Sequence, residues 1–213
     1  HCAASVPKTC NDYSSFDNAA ASLLMLNLLL RESECPIIYI SSMTVYGESL
    51  NRPVTENDVG NPTSEYGLAK LEAEKILRDG GRPAVAIRIP GLFGLPRKNG
   101  LIFNLLHAFK NDLAPQLPLD PVIWAAIHVN DAAQVIANIA VSNFDGFCAV
   151  NSAYREIYSI KRLVDIVCEL NDCKYTYNIN QPDFEFDLTL AKKLGAVPTH
   201  GLKEMISKFS MVI

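Results

Sequence analysis

Two short apolar runs with a helical stretch between them constrain the fold most: Pro36-Ile37-Ile38-Tyr39-Ile40, ending in Ser41-Ser42, and Ala84-Val85-Ala86-Ile87-Arg88-Ile89. Neither alternates apolar with polar residues, so each reads as a strand buried on both faces, as in a parallel sheet covered by helices. Between them, Asn61-Pro62-Thr63-Ser64 carries the proline and hydroxyl signals of a helix start, and Gly80-Gly81 breaks the chain before the second run. Open α/β sheets bind ligands at the C-terminal edge of their strands. The hydroxyls of Ser41 and Ser42 leave the first run at that edge, and Pro90-Gly91-Leu92-Phe93-Gly94 leaves the second.

The helix between the strands carries Tyr66 and Lys70, and among eight tyrosines only Tyr66 has a lysine four residues on. Residues at i and i+4 share a helix face, which sets the ammonium beside the phenol. A free phenol, with a pKa of about 10, is a poor base at neutral pH. A positive charge about 4 Å away, at an effective dielectric of about 20, favours the phenolate by roughly 4 kcal/mol before desolvation opposes it. A tyrosine tuned in this way can take a proton from a substrate hydroxyl and return it.

The rest of the chain is organised by its breaks. Ala19 to Leu30 reads as a buried helix with Asp17 or Asn18 near its start. A polar loop with Pro53, Thr55 and Glu56 precedes the Tyr66 helix. Gly100 to Lys110 reads as a helix, followed by a loop through Pro115, Pro118 and Pro121 of a kind that often covers sites, with Trp124 as a packing residue beside it. His128 ends an apolar strand in a structural role, and Asn130-Asp131 caps the next helix. Phe147 to Val150 reads as a strand, and a helix starts near Ser159. A short strand from Lys174 to Ile179 and two terminal helices complete a smaller lobe.

Taken together, these segments resemble the extended branch of the short-chain dehydrogenase/reductase family, the NAD(P)-dependent sugar epimerases and dehydratases. Ser41-Ser42-Met43-Thr44-Val45-Tyr46-Gly47 resembles its catalytic Ser/Thr segment, with Ser42 at the matching position, and Tyr66 and Lys70 match its catalytic pair. His1-Cys2-Ala3-Ala4 resembles the strand end that lies against the cofactor, and Asn18 sits where the family's Asn-x-x-Gly-Thr helix has its asparagine. Ile127-His128-Val129-Asn130-Asp131-Ala132-Ala133 resembles the late strand-to-helix junction, and Phe186-Asp187 through Lys193-Leu194-Gly195 with Pro198 the C-terminal segment.

The resemblance implies a Rossmann-like doubly wound parallel sheet with a small C-terminal α/β lobe. Residues 1–89 and 126–150 would form the dinucleotide-binding part and 90–125 and 151–213 the substrate-binding lobe. It implies NAD or NADP as cofactor, contacted by Ala3, Ala4, Tyr66, Lys70 and Pro90. Tyr66 is then the acid/base, Lys70 lowers its pKa and holds the nicotinamide ribose, and Ser42 hydrogen-bonds the reacting oxygen. Substrate contacts fall to Ser42, Met43, Thr44, Gly91 and Asn99. The implied reaction is epimerisation or reduction of a sugar or nucleotide-sugar; a non-catalytic dinucleotide sensor or scaffold of the same fold is the competing reading. A homodimer through the Tyr66 helix and the helix before it is implied as well.

Three departures shape these expectations. None of the eleven glycines forms the G-x-G-x-x-G turn that lets a backbone approach a pyrophosphate. Against the family pattern, roughly 60 to 70 residues carrying that turn are expected upstream of His1, the size of two βαβ units, so the sheet is read as N-terminally incomplete and these residues alone as poor cofactor binders. Sugar dehydratases of the family carry Asp-Glu directly after the catalytic Thr; here Met43 and Thr44 stand there and cannot do that acid/base work, which disfavours the dehydratase alternative. Arg88-Ile89-Pro90 is followed by Gly91 where nucleotide-sugar enzymes usually place Asn.

Composition excludes several other classes. With 49% apolar and 20% charged residues in 213, the chain can bury a substantial core. Its net charge of −4 offers no basic footprint for nucleic acid, and no apolar run has the length of a membrane span. Six cysteines without C-x-x-C read as buried reduced thiols of a cytoplasmic protein, and four scattered histidines suggest no metal site.

Overall fold

The computed structural model describes residues 19–47, 52–58, 60–177 and 180–213. The expectations for His1 to Asn18, including the cofactor contacts of Ala3 and Ala4, lie outside the described residues. Elements follow in the order α1 (Ala19–Glu32), β1 (Ile37–Ser42), a 3-10 turn (Met43–Val45), α2 (Glu65–Asp79), β2 (Ala84–Ile89) and β3 (Gly91–Phe93). Then come α3 (Leu101–Lys110), β4 (Ala126–His128), α4 (Val129–Ala140), β5 (Phe147–Asn151), α5 (Ile160–Leu170), α6 (Thr189–Lys193) and α7 (Leu202–Ser210).

Strands β1, β2 and β5 form a parallel sheet with β2 in the middle, Ile37 level with Ala84 and Ala84 level with Phe147. The architecture is Rossmann-like α/β. Side chains of a strand alternate between faces, and β2 shows both faces covered. Ala84 and Ala86 pack with Ile37, Tyr39, Leu26, Ala73 and Leu77 under α1 and α2. Val85, Ile87 and Ile89 point into the larger core with Val150, Ile127, Val135, Leu163 and Phe209. All six residues of β2 are buried, which is why the run carries almost no polar side chains.

Helix α2 begins where the sequence signals it, with Ser64 Oγ accepting the Gly67 N–H at 3.1 Å, and ends at Gly80. Its buried positions are Tyr66, Gly67, Lys70, Ala73, Glu74 and Leu77, a helical stripe that includes two charges. Helix α1 is half-buried rather than buried: Leu26 is inside, while Leu24 and Met25 are exposed. Its C-terminal carbonyls are capped by Arg82, which donates to Leu30 O at 2.5 Å and to Ser33 O.

Other expectations need correction. Gly91–Phe93, at the exit of β2, is assigned no element from the sequence and forms a further strand that pairs in parallel with β4. Helix α4 is capped by His128, whose Nδ1 accepts the Asn130 N–H at 3.2 Å, and not by Asn130-Asp131. Asp131 is instead buried, accepting from Tyr154 Oη at 2.6 Å and facing His200 Nδ1 at 2.6 Å. Residues 174–177 form no strand; Tyr177 Oη donates to Pro118 O at 2.5 Å, tying this segment to the proline loop by a side chain where strand pairing was expected. Of the four described cysteines only Cys168 is buried, and Cys35 is exposed. Trp124 packs edge-on against Tyr158, ring centres 6.1 Å apart. No helix among the described residues is long and apolar enough to cross a membrane.

Candidate active site

Strand parity separates the two serines at the end of β1. Ile37, Tyr39 and Ser41 face α2, and Ile38, Ile40 and Ser42 the opposite side. Ser41 is consumed there: its Oγ donates to Glu74 Oε1 at 2.5 Å in a buried contact. Ser42 has extended backbone (φ −145°, ψ 150°) and opens the 3-10 turn, its Oγ accepting the Thr44 N–H at 3.2 Å and meeting Thr44 Oγ1 at 3.0 Å.

Tyr66 and Lys70 lie on the first two turns of α2, both buried. The Lys70 ammonium donates to Ile40 O at 2.7 Å, two residues before Ser42. It stands 5.5 Å from the centre of the Tyr66 ring and 4.7 Å from that of Tyr39. One amine therefore ties the phenol-bearing helix to the serine-bearing strand. Burial first, then the neighbouring Tyr66 and Glu74, pushes the Tyr39 phenol well above the ordinary range, so Tyr39 stays neutral as a wall of the site.

The helix approaches the turn closely because Gly67 has no side chain. A Cβ there would stand 2.6 Å from Thr44 O and 3.0 Å from Pro62 Cβ. Behind the serine, a buried network fixes the strand ends. Arg88 grips Glu74 with both arms, Nε to Oε1 at 3.0 Å and Nη2 to Oε2 at 2.7 Å. Its Nη1 reaches Tyr46 Oη and Glu56 O, both at 3.0 Å. Tyr46 Oη donates to Asn151 Oδ1 at 2.5 Å, and Asn151 Nδ2 to Val54 O at 3.0 Å. Burial pushes the Tyr46 phenol up to about 12 against the opposing pull of Arg88.

Pro90 is buried at the exit of β2. Gly91 is exposed and pairs with β4, its N–H donating to Ala125 O at 3.1 Å. Asn99 is exposed and accepts from Arg97 Nε at 2.5 Å. Met43 is buried in the larger core, and Thr44 is half-buried. Thus the structure gathers Ser42, Thr44, Tyr66 and Lys70 at the C-terminal edge of the sheet, while Met43 packs inward and Asn99 stays engaged with its own loop. Sequence reasoning missed Gly67 and Glu74. Gly67, next to Tyr66, was the readable signal; Glu74 gave one only as the next i+4 step after Lys70.

Residues 18–144 match the family described as the RmlD substrate binding domain. Among curated proteins, the chain is 30% identical over 135 residues to the uncharacterized protein y4nG of Sinorhizobium fredii, covering 61% of this chain and 33% of that one. It is 43% identical over 58 residues to methionine adenosyltransferase 2 subunit beta of Bos taurus, 27% of this chain and 17% of that one. It is 30% identical over 106 residues to UDP-glucose 4-epimerase of Haemophilus influenzae, 47% of this chain and 31% of that one. The chain thus spans about a third or less of these relatives. UDP-glucuronic acid 4-epimerase from Bacillus cereus, solved with UDP-glucuronic acid and NAD, shares the fold with a TM-score of 0.81 at 18% identity, over 98% of this chain and 72% of that one.

Proposed function

The chain belongs to the RmlD substrate binding domain family, within the extended short-chain dehydrogenase/reductase group, and on that premise we propose that it is the catalytic portion of an NAD(P)-dependent epimerase or reductase of sugars or nucleotide-sugars. The observation that carries the reading is the Lys70 amine, bonded to the Ile40 carbonyl beside Ser42 and facing the Tyr66 ring.

The donor set fits a dinucleotide's nicotinamide end. An ammonium and a phenol at the C-terminal edge of a parallel sheet offer what a ribose diol requires: donors for its oxygens and an acceptor for its protons. Tyr66 and Lys70 would hold that end, with Pro90 at the neighbouring strand exit. The bound cofactor supplies hydride transfer. Tyr66 takes the proton from the substrate hydroxyl as the carbon is oxidised and returns it on reduction. Lys70 keeps a positive charge beside the phenol so that the phenolate is accessible. Ser42 donates to the same substrate oxygen and holds it in line. Residues 1–89 and 126–150 carry this machinery, and 90–125 and 151–213 hold the sugar. Exposed Leu24 and Met25 on α1, with Leu68 on α2, support a homodimer through these two helices.

A second reading, a non-catalytic partner subunit, draws on the match to a protein named as a subunit of another enzyme. Tyr66→Phe in the full-length protein separates the two. On the catalytic reading it lowers turnover of a UDP-sugar by about 10²- to 10⁴-fold with the fold retained. Unchanged turnover removes Tyr66 from the proton path, and absence of any turnover or hydride exchange in the parent favours the partner-subunit reading.

A further inference from the structure

We infer that Thr44 is a positioning residue that commits the Ser42 hydroxyl to donating its proton toward substrate. The inference rests on the roles proposed above for Ser42, Tyr66 and Lys70, and adds a residue that acts through Ser42 instead of on the substrate.

A serine hydroxyl has one proton and two acceptor lone pairs. At Ser42 both acceptor positions are met by one residue: the Thr44 N–H at 3.2 Å and Thr44 Oγ1 at 3.0 Å. The backbone N–H can only donate. Once the Ser42 proton is directed at a substrate oxygen, the contact between the two hydroxyl oxygens is a hydrogen bond only if Thr44 supplies the proton. Ser42 is then a pure donor, the polarity needed where a substrate oxygen gains negative charge. A serine free to rotate would spend part of its time presenting a lone pair to that oxygen.

Thr44 is also joined to the other arm of the site. Its carbonyl oxygen lies where a Cβ on Gly67 would come within 2.6 Å, so the turn of α2 that follows Tyr66 rests on the Thr44 backbone. The residue that orients the serine through its side chain therefore sets, through its main chain, how close the tyrosine's helix comes. Its β-branched side chain has few rotamers to lose in holding this arrangement.

The test uses the full-length protein loaded with NAD, with UDP-glucose, UDP-galactose and UDP-glucuronic acid as probes. Thr44→Val keeps the shape and removes the hydroxyl. It is expected to lower kcat on the order of tenfold while leaving KM within about twofold, and Thr44→Ser is expected to restore kcat. In a Ser42→Ala background Thr44→Val should cost nothing more, because the group it orients is gone. The inference is overturned by an unchanged kcat in Thr44→Val, by a rise in KM alone, by a Thr44→Ser as impaired as the valine, or by losses that multiply in the double variant. If Thr44→Val does not fold, Thr44→Ala takes its place; failure of both to fold makes the residue structural and overturns the inference too. Full loss in Ser42→Ala and Tyr66→Phe with an unaffected Thr44→Val sinks the inference alone. A parent that turns over none of the probes, or unimpaired Ser42→Ala and Tyr66→Phe, sinks the catalytic reading and the inference with it.

Discussion

Glu74 is fully buried, and its charge is held by three donors: Nε and Nη2 of Arg88 and Oγ of Ser41. Removing one member of a buried pair strands the other charge and costs about 3–5 kcal/mol, whereas replacing both by apolar residues is often neutral. Glu74→Ala is accordingly expected to lower the unfolding free energy by about 3–5 kcal/mol in urea titrations, and Glu74→Leu combined with Arg88→Met to recover most of it. A double variant as unstable as the single one would show that the pair itself, and not the stranded charge, holds the sheet. None of this was legible in the sequence. Arg88 could be placed on a strand, but nothing in its neighbourhood points to a carboxylate fourteen residues earlier, and only the crossover brings the two together. His128 was legible as structural yet not as a cap, since imidazole is an uncommon acceptor for a helix N–H. That role makes it pH-sensitive. Burial, with His200 and Lys208 adding to it and Asp131 opposing, lowers the His128 pKa below its ordinary value of about 6.5. A depressed histidine contributes stability that is present above the unfolded pKa and lost as pH falls through the folded one. Thermal midpoints should therefore fall as pH drops below about 6.5, and His128→Asn, which can cap without titrating, should flatten that slope. An equal slope in the variant would take the effect away from His128.

At the scale of elements, β1 and β2 were readable because a strand between two helical layers must be apolar along its whole length. Strand β3 was not, being three residues long and opened by glycine, whereas the equally short β4 was readable as the apolar strand that His128 ends. Helix α2 was placed by its cap and its break, while its buried face was hidden from hydropathy by Lys70 and Glu74, polar residues that sit inside for the sake of their partners. Gly67 shows the same override of local preference. In a helix interior alanine is favoured over glycine by about 1 kcal/mol. Here the added methyl would press against the Thr44 carbonyl, a backbone atom that cannot swing aside. Gly67→Ala is thus expected to destabilise the protein and to lower kcat by separating Tyr66 from Ser42, read by calorimetry and by turnover of the UDP-sugar probes. A rise in thermal midpoint would mean that the turn yields and that its distance from α2 is not fixed.

Across the whole molecule, the two halves of the chain are joined near the strand ends. Val54 N–H donates to Glu185 O and its carbonyl accepts from Asp187 N, both at 2.8 Å, while Glu56 Oε1 accepts the Asn151 N–H at 2.9 Å. The C-terminal segment is thereby stitched to the loop that precedes the Tyr66 helix, and the larger core closes over one face of the sheet. The other face is thinner, with α1 and α2 its only helices among the described residues, and α1 leaves Leu24 62% and Met25 50% exposed. Two adjacent apolar side chains on a helix that already packs against α2 give the outer surface of this layer a place to bury area against a second copy. Replacing both with lysine leaves the Leu26 contact inside the layer untouched, so the subunit should keep its fold and thermal midpoint. If the dimer forms through these helices, sedimentation of the full-length protein shows a dimer for the parent and a monomer for Leu24→Lys/Met25→Lys. A parent that sediments as a monomer removes the dimer, a variant that remains dimeric moves the interface elsewhere, and either outcome leaves the chemistry proposed for Ser42, Tyr66 and Lys70 standing within a single subunit.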